Sequence, residues 1–313
     1  MSKKVLSLVL FLMTSFSSLA LEDISVKGTH IYFSNNDNQR EKLLNIHFPE
    51  KSRNFKKINL KLTLRCPRGA CDWWDRRGSI KVRKDNQDFE ILRFMTPYRI
   101  GNTWDFDITS LRPLLIGKTK LKIFIDTWVG PGHPQGEGWI VDLKFQFEEG
   151  NLNQNPFKIL PIMRPQTIPY GDPKADPKRE KVIAQIGHVK KALLWSVITG
   201  HGQGNTENCA EFCPKSHTIK INNHRLTKTI WRDDCYKNPT PGQYGTWRYS
   251  RAGWCPGDIV YPWVEDITSL VRKKKNIPFI YGPEHYINRD RRDDGGGHTR
   301  PYFYSSSFII LFN

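Results

Sequence analysis

The sequence predicts an all-β protein built of two jelly-roll domains, each made of two packed antiparallel sheets. Apolar and polar residues alternate over short stretches, which is typical of strands that bury one face. A motif of the first half returns in the second half, which indicates a duplicated unit. Helical periodicity is scarce and is confined to two short stretches, 112–116 and 271–275. We therefore expect antiparallel sandwiches with little helix.

The repeat is the strongest sign of duplication. The sequence WDFDITSL at 104–111 returns as WVEDITSL at 263–270. In both halves this motif follows a short cysteine loop and a strand-like segment, SIKV at 79–82 and TIKI at 218–221. The shared order of elements predicts two domains of one fold with different loop insertions.

The alternating segments lie on both sides of a polar linker. The linker, 148–155, contains three asparagines and has no apolar periodicity. It divides the chain into predicted domains at 21–150 and 156–313, each of a length that suits one jelly roll. The proline-rich segment 169–178 is predicted to be a surface loop of the second domain. The clearest alternating strands are 57–64, 121–125, 143–147 and 303–310.

The amino terminus has the pattern of a secretory signal. Lys3 and Lys4 precede the apolar run VLSLVLFLM, and small residues follow up to Ala20. The run is too short to span a bilayer, so we expect no membrane span. We predict a signal peptide at 1–20 and a secreted or periplasmic protein after cleavage near Ala20.

The charge of the chain is strongly basic. The formal net charge is +17, and removing Lys3 and Lys4 leaves 17 − 2 = +15. This balance favours anionic partners such as acidic glycans, lipopolysaccharide or nucleic acid, and it also promotes solubility and adhesion to surfaces. The charges are scattered and no nucleic-acid-binding motif is present, so we expect no nucleic-acid partner.

Six cysteines in an exported chain predict three disulfides. A zinc site is the alternative, but the closely spaced pairs stand about half a chain apart. Very short loops add only about 2 kcal/mol of stability in the chain-entropy model, so these bonds are better suited to fixing local geometry. The spacing suggests the pairs Cys66–Cys71, Cys209–Cys213 and Cys235–Cys255.

Three segments combine a carboxylate with aromatic neighbours: 73–76, 126–128 and 209–213. Aromatic faces stack on sugar rings, and carboxylates bond hydroxyl groups, so the pairing favours carbohydrate recognition. Two carboxylates in unlike environments also suit acid/base hydrolysis. The three carboxylates are Asp75, Asp126 and Glu211. Each has an alternative interpretation: Asp75 forms a salt bridge to a neighbouring arginine, Asp126 is a turn residue at a strand end, and Glu211 is an exposed loop carboxylate.

Long motifs in both halves resemble bacterial peptide:N-glycosidase F. They are CPRGACDWWDRR at 66–77, RFMTPYRIG at 93–101, LKIFIDTW at 121–128, IPYG at 168–171, CAEFCPKSHTIKIN at 209–222 and RAGWCPG at 251–257. The resemblance implies two side-by-side eight-stranded jelly rolls in a secreted amidase that cleaves between asparagine and the first N-acetylglucosamine of N-linked glycans. It also implies an N-glycosylated protein or glycopeptide as substrate and no metal or other cofactor. We further expect a monomer.

The resemblance assigns roles to the three carboxylates. Asp75 falls on the family's principal catalytic aspartate, and Glu211 on a glutamate that acts through a water molecule. Asp126 falls where the family has an essential glutamate, so this chain keeps the charge but shortens the side chain by one methylene. A shifted strand or a bridging water would compensate for the shorter reach.

Six further positions match substrate contacts of the family. At two of them, His201 and Phe212, the family has a tryptophan instead. The phenyl ring of Phe212 can still stack on a sugar, whereas the histidine at 201 changes the expected shape of the glycan subsite. The six are Trp74, Arg76, Trp128, His201, Phe212 and Arg251.

Three other functions are open at this point. A copper monooxygenase of the two-jelly-roll type needs paired histidines and a methionine, whereas the nine histidines here include no HH or HxH pair. A glycoside hydrolase would use the same carboxylates on a sugar–sugar bond. A glycan-binding module without catalysis would stack sugars on tryptophans, and the shorter Asp126 keeps this alternative open. The stacking tryptophans would be Trp73, Trp74, Trp128 and Trp254.

Overall fold

The computed structural model describes residues 21–290, 292–295 and 297–313, so the predicted signal peptide lies outside the described residues. Strands dominate these residues, and no helix among them is long and apolar enough to cross a membrane. The strands are β1 Leu21–Ser34, β2 Asp37–Gln39, β3 Glu41–Phe48, β4 Phe55–Arg65, β5 Arg77–Lys84, β6 Gln87–Met95, β7 Asn102–Asp107, β8 Gly117–Ile125, β9 Trp139–Glu149, β10 Pro156–Pro169, β11 Arg179–Gln185, β12 Lys191–His201, β13 Lys215–Ile221, β14 His224–Ile230, β15 Trp263–Asp266, β16 Lys275–Pro283 and β17 Tyr302–Phe312.

The first nine strands form two facing antiparallel sheets. One sheet has the order β2-β1-β9-β4-β7, and the other has the order β3-β8-β5-β6. Alternate residues of β4 and β9 are buried, because one face of each strand packs on the opposite sheet. Apart from the short β2, the eight strands have the order of a jelly roll.

The remaining eight strands repeat this arrangement. Their sheets have the orders β10-β17-β12-β15 and β11-β16-β13-β14, which match the first pair of sheets strand for strand. All pairings within the four sheets are antiparallel. The predicted all-β fold of two eight-stranded sandwiches is therefore confirmed, whereas the boundaries 21–150 and 156–313 stay a prediction about separately folding units.

The repeated DITSL motif forms the same turn in both halves. Asp107 Oδ1 accepts hydrogen bonds from the amide and hydroxyl of Thr109 at 2.8 and 2.6 Å. Asp266 accepts the equivalent bonds from Thr268 at 2.9 and 2.5 Å. These bonds fix the chain direction where a strand ends and a helical turn begins.

The positions of the helical turns correct the prediction. The sequence predicts them at 112–116 and 271–275, after the DITSL motif. The structure has a 3₁₀ helix at Thr109–Leu114 and a short α-helix, α1, at Thr268–Val271. Each turn begins inside the motif because the aspartate before it already bonds the first amides, and β16 begins at Lys275.

The two sandwiches share an apolar contact surface. Trp195 of β12 stacks on Phe308 of β17 with ring centroids 6.0 Å apart, and Phe106 of β7 meets the edge of Trp195 at 6.3 Å. Phe89 of β6 also contacts Phe308, at 6.2 Å. Because aromatic side chains of both halves are buried together, this surface stabilises their relative position.

A buried polar network also joins the sandwiches. Arg93 on β6 binds Glu90 at 2.5 Å and donates to Thr199 Oγ1 at 3.0 Å and to the carbonyl of Tyr304 at 2.7 Å. The hydroxyl of Ser306 donates to Glu90 at 2.6 Å. A buried guanidinium needs such partners, so breaking one of them would leave charge uncompensated in the interface.

Candidate active site

Two carboxyl groups and one guanidinium meet between the sandwiches. Arg251 Nη2 lies 3.9 Å from Asp75 Oδ2, and Arg251 Nε donates to Glu211 Oε1 at 3.3 Å. Only 1% of the Arg251 side chain is exposed, against 16% for each carboxylate side chain. Asp75 comes from the first sandwich and Glu211 from the second, so the fold brings together residues far apart in sequence.

The loop that carries Asp75, between Cys71 and β5, is held in place by Asp72, a buried aspartate next to the Cys66–Cys71 disulfide. Asp72 accepts from Arg76 Nε at 2.8 Å, from the Trp74 amide at 3.0 Å and from Thr127 Oγ1 at 2.6 Å. Its side chain is fully buried, and these charge-assisted bonds offset the loss of hydration. Arg76 therefore pairs with Asp72 and not with Asp75.

The Glu211 loop is closed by the Cys209–Cys213 disulfide and bonded to two neighbouring segments. Gly202 N donates to Glu211 Oε2 at 3.2 Å, and Ala252 N donates to the carbonyl of Glu211 at 2.8 Å. Gly253, with a φ of 81°, turns the chain after Arg251, and a side chain there would collide with the carbonyl of Ile198 at 2.5 Å. The glycine of the RAGWCPG motif is thus required by close backbone packing.

The Arg251 guanidinium is fixed by backbone and side-chain acceptors. Nη1 donates to the carbonyl of Tyr249 at 2.8 Å, and Nη2 donates to the carbonyl of Thr246 at 3.0 Å. Thr246 Oγ1 in turn lies 3.0 Å from the hydroxyl of Tyr98, which also hydrogen-bonds Asp75. The cation cannot swing away without breaking these bonds, so its charge stays between the two carboxyl groups.

The environment raises the pKa of both carboxyl groups. Burial, reinforced by repulsion from Asp75, raises the pKa of Glu211 to about 8, although Arg251 acts in the opposite direction. Burial also raises the pKa of Asp75, while Arg251 and the Tyr98 hydroxyl lower it. Two neighbouring carboxyls with one cation favour holding a proton, and Glu211 carries it near neutral pH.

His201 forms one wall beside Glu211. Its ring lies nearly parallel to Tyr302 and Trp254, with centroids 5.0 and 5.6 Å away. Burial holds the pKa of His201 well below its usual range, so the imidazole is neutral. Its Nε2 lies 2.8 Å from the hydroxyl of Thr199, whose oxygen already accepts from Arg93. The neutral ring is thus held beside the buried pair of Arg93 and Glu90.

Asp126 and Trp128 lie on a separate, more exposed part of the same region. Arg40 bonds Asp126 at 3.3 Å and lies 4.2 Å from the centre of a Trp128 ring, whose side chain is half exposed. Arg77 Nη2 lies 3.8 Å from the other Asp126 oxygen. Burial, together with the negative charges of Asp126 and Glu211, raises the pKa of Tyr302 to about 12, so Tyr302 lies within electrostatic range of both parts.

The aromatic candidates differ in their surroundings. Trp74 is 50% exposed, with its indole N–H 3.4 Å from Gln135, whereas Trp73 is covered on one face by Arg99 at 4.0 Å. Phe212 stacks on the Arg251 guanidinium at 5.1 Å. Trp74 therefore offers a free face to a ligand.

Several residues of the site were not singled out in the sequence. Tyr98 and Thr246 hold the cluster together, Asp72 holds the Asp75 loop, and Arg77 contacts Asp126. Tyr98 lies in the motif TPYRIG, and Asp72 lies beside Asp75 in CDWWDRR, so both motifs contained a signal. Thr246 lies in a loop without a recognisable pattern, and only the structure brings it to Arg251.

The three predicted disulfides are present, including Cys235–Cys255. Among the described residues, one group has potential metal ligands close together: Asp234 with Cys235 and Cys255. Because the two sulfur atoms are bonded to each other, they are not thiolate ligands, and the group is a disulfide with a neighbouring carboxylate.

Fold and site together define a class: two-jelly-roll proteins with a buried carboxyl pair between the sandwiches. The sequence profile described as "Peptide-N-glycosidase F, N terminal" matches residues 80–147, and that described as "Peptide-N-glycosidase F, C terminal" matches residues 170–306. The chain belongs to the peptide-N-glycosidase F family and is an enzyme of that family. Asp126, Glu211 and Arg251 fall within the matched residues, and Asp75 falls just before them.

Individual relatives agree with this assignment. The chain is 29% identical over 283 residues to peptide-N(4)-(N-acetyl-beta-D-glucosaminyl)asparagine amidase F of Elizabethkingia miricola, covering 84% of this chain and 76% of the relative. A crystal structure of peptide-N(4)-(N-acetyl-beta-D-glucosaminyl) asparagine amidase matches with a TM-score of 0.82 at 26% identity, covering 94% of this chain and 96% of that one. The structure of PNGase F from Flavobacterium meningosepticum gives 0.78 at 25% identity over 93% and 96% of the two chains.

Proposed function

We infer that the protein is an amidase that hydrolyses the bond between asparagine and the first N-acetylglucosamine of N-linked glycans. The products are aspartate in the peptide and a glycosylamine that loses ammonia in water. The observation that carries this proposal is the Asp75–Arg251–Glu211 cluster between the sandwiches. Membership of the family and its asparagine-amidase relative support the same reaction.

The cluster supplies the two proton transfers of amide hydrolysis. Asp75, stabilised as an anion by Arg251 and the Tyr98 hydroxyl, takes a proton from the attacking water. The water oxygen bonds to the amide carbon, and the carbon–nitrogen bond then breaks. Glu211 is protonated near neutral pH and gives its proton to the departing nitrogen. General acid and base groups each contribute about 10² to 10⁴ in rate.

The surrounding residues position the glycan. Trp74 presents its exposed ring to a sugar face, and Trp128 does so beside Asp126 on the more exposed side. Asp126 accepts hydrogen bonds from sugar hydroxyls while Arg40 and Arg77 hold it in place. Arg251 is too buried to be a broad sugar contact, so its role is to hold charge between the carboxyl groups.

The protein acts outside the cytoplasm as a monomer. Three disulfides suit an oxidising compartment, in agreement with the signal pattern of residues 1–20. All groups of the proposed site come from one chain, so no second copy is needed to complete it. The substrate is a glycoprotein or glycopeptide, which is itself found outside the cytoplasm.

The test uses a defined glycopeptide with one glycosylated asparagine, incubated in ¹⁸O-labelled water and analysed by mass spectrometry. An amidase leaves aspartate with one labelled oxygen in its side chain and releases the whole glycan. A peptide that keeps one sugar would indicate a glycosidase, and an unchanged glycopeptide that remains bound would indicate a glycan-binding protein. Either result would overturn the proposal.

A further inference from the structure

A second cleft lies between the sandwiches, at the opposite end of β5 from Asp75. It has a volume of about 670 Å³ and is lined by the β5–β6 hairpin on one side and by β10 and β11 on the other. Arg77 and Arg83 on β5 are separated by about 20 Å, given a strand rise of about 3.3 Å per residue. None of the residues of the Asp75–Arg251–Glu211 cluster lines this cleft.

The lining of the cleft is strongly cationic. Five basic side chains line it against two acidic ones, Asp88 and Glu180. Both acids are engaged: Asp88 binds Arg83 and Lys122, each at 3.0 Å, and Glu180 binds Lys178 at 2.5 Å. The basic side chains are Lys81, Arg83, Arg164, Arg179 and Lys181.

The cations at the rim have no acidic partner. Arg164 and Lys181 are exposed, and neither lies within salt-bridge distance of a carboxylate in the described part of the chain. Arg179 donates to Gln166 and to two backbone carbonyls, which leaves its charge uncompensated. Like charges held together around a concavity raise the local concentration of anions.

A buried cation lines the same cleft. Lys81 is only 8% exposed, and its ammonium donates to the hydroxyl of Tyr304 at 3.3 Å. The ammonium also lies 5.8 Å from the ring centres of Phe124 and Tyr304, and its charge helps to lower the pKa of the buried Glu90. Lys81 therefore adds a positive charge to the lining of the cleft, and the exposed cations are the groups that a ligand contacts.

The shape of β10 opens the cleft. The pairing of β10 with β17 is irregular between Pro161 and Gln166, and this segment forms one wall. Bulges of this kind redirect side chains and often occur beside binding sites. The opposite wall carries the amides of Asn86 and Gln87, which can donate to and accept from hydroxyl groups.

We propose that this cleft binds an acidic saccharide. Cations bind its carboxylate or sulfate groups, the amides of the hairpin bind its hydroxyls, and the proline rings of β10 contact its apolar ring faces. Nucleic acid would need aromatic side chains free to stack on bases, whereas Phe279 and Tyr281 in the cleft are buried. The inference does not depend on the amidase activity.

The test measures binding of a heparin-derived sulfated tetrasaccharide by titration calorimetry, with neutral maltotetraose as the comparison. The double variant Arg164→Gln/Lys181→Gln should bind the sulfated probe about tenfold more weakly, since each exposed charge contact is worth up to roughly fivefold in affinity. The control variant is Lys51→Gln/Lys57→Gln, which removes the same charge from exposed positions outside the cleft. The control should bind like the parent.

Four outcomes would overturn the proposal. The first two are that the sulfated probe does not bind and that both double variants lose the same affinity for it. The third is that maltotetraose binds as tightly as the sulfated probe. The fourth is that a single-stranded oligonucleotide of the same charge binds equally tightly and is weakened by the cleft variant. Thermal unfolding of each variant checks that the fold is retained. Hydrolysis of a neutral glycopeptide should be unchanged in the cleft variant, so a failure of the cleft and a failure of the amidase proposal are distinguishable.

A second arm identifies the source of the saccharide. If the acidic sugar belongs to the substrate, the cleft variant should have a raised KM for a glycopeptide with acidic terminal sugars and an unchanged KM for its neutral counterpart. If the saccharide is a separate polymer, both KM values should stay at the parent's level although probe binding is lost.

Discussion

At the scale of single residues, one guanidinium lies beside two carboxyl groups whose charges repel. Arg251 stabilises one anion well and two poorly, so the pair retains a proton that isolated carboxyls would lose. When both carboxyl groups are ionised, their repulsion destabilises the folded protein, whereas a pair that holds one proton can donate and accept protons in catalysis. The raised pKa values therefore affect both the free energy of unfolding and the rate of the reaction.

Glu211→Gln should change the pH dependence of stability. In the parent, the folded state keeps a proton on Glu211 up to about pH 8, whereas the unfolded chain loses it near its ordinary value of 4.5. The folded state binds more protons in this window, so the parent loses stability as pH rises through it. Denaturant unfolding from about pH 5 to about pH 9 should show a fall more than about 1 kcal/mol larger for the parent than for Glu211→Gln.

The matched control for this measurement is Glu41→Gln, a change at an exposed carboxylate. Its pH profile should follow that of the parent. Parallel profiles for the parent and Glu211→Gln would show that Glu211 titrates alike in both states, which contradicts the shared proton.

Asp126 tests the effect of a shorter side chain. Arg40 and Arg77 hold Asp126 through both oxygens, and Arg77 stacks on the Tyr304 ring while its Nε and Nη1 are buried without a hydrogen-bond partner. Asp126→Glu keeps the charge and should retain activity within about threefold. Asp126→Ala leaves the Arg77 cation unpaired and should weaken both glycopeptide affinity and turnover. Steady-state kinetics with binding titrations measure both, and a fully active Asp126→Ala variant would exclude a role for this carboxylate.

At the scale of elements, the loop between Cys71 and β5 is organised by Asp72. Asp72→Asn removes the charge that binds Arg76 inside a buried site, which should cost about 3 kcal/mol and displace Asp75. Unfolding measurements together with turnover of a glycopeptide check both effects. The comparison is Asp142→Asn, whose partner Arg65 is 54% exposed and whose cost should stay below about 1 kcal/mol. Equal costs at the two positions would contradict the proposed role of burial.

The two short disulfides should matter more for rate than for stability. Opening Cys209–Cys213 in the double variant Cys209→Ser/Cys213→Ser should cost only about 2 kcal/mol, because the closed loop is very short. Turnover should nevertheless fall at least about tenfold, since Glu211 lies inside that loop. Activity and unfolding are measured on the same samples. A loss of turnover no larger than the unfolded fraction explains would make the bond merely structural.

At the scale of the whole molecule, the sequence predicted the sandwiches better than it predicted the site. The alternation of apolar and polar residues in segments such as 57–64 directly indicates a strand with one buried face, and the DITSL repeat indicates a duplicated domain. The helical turns begin earlier than the sequence pattern predicts, because Asp107 and Asp266 accept hydrogen bonds from the amides of Thr109 and Thr268 inside the DITSL motif.

The site is harder to predict because it forms between distant segments. Asp75 and Glu211 stand out by their cysteine loops, but the contacts of Arg251 with Thr246 and of Tyr98 with Asp75 depend on how the two sandwiches pack. Arg76 also pairs with the fully buried Asp72 and not with Asp75, its neighbour in the sequence. Tertiary packing decides such pairings.

The most direct measurement compares glycopeptide cleavage and glycopeptide affinity for the parent and for Asp75→Asn. The amide keeps the shape of the side chain but cannot take a proton from water, so turnover should fall below detection while affinity stays within about threefold of the parent. Cleavage by Asp75→Asn at the parent rate would contradict the proposed role of the carboxyl pair between the sandwiches.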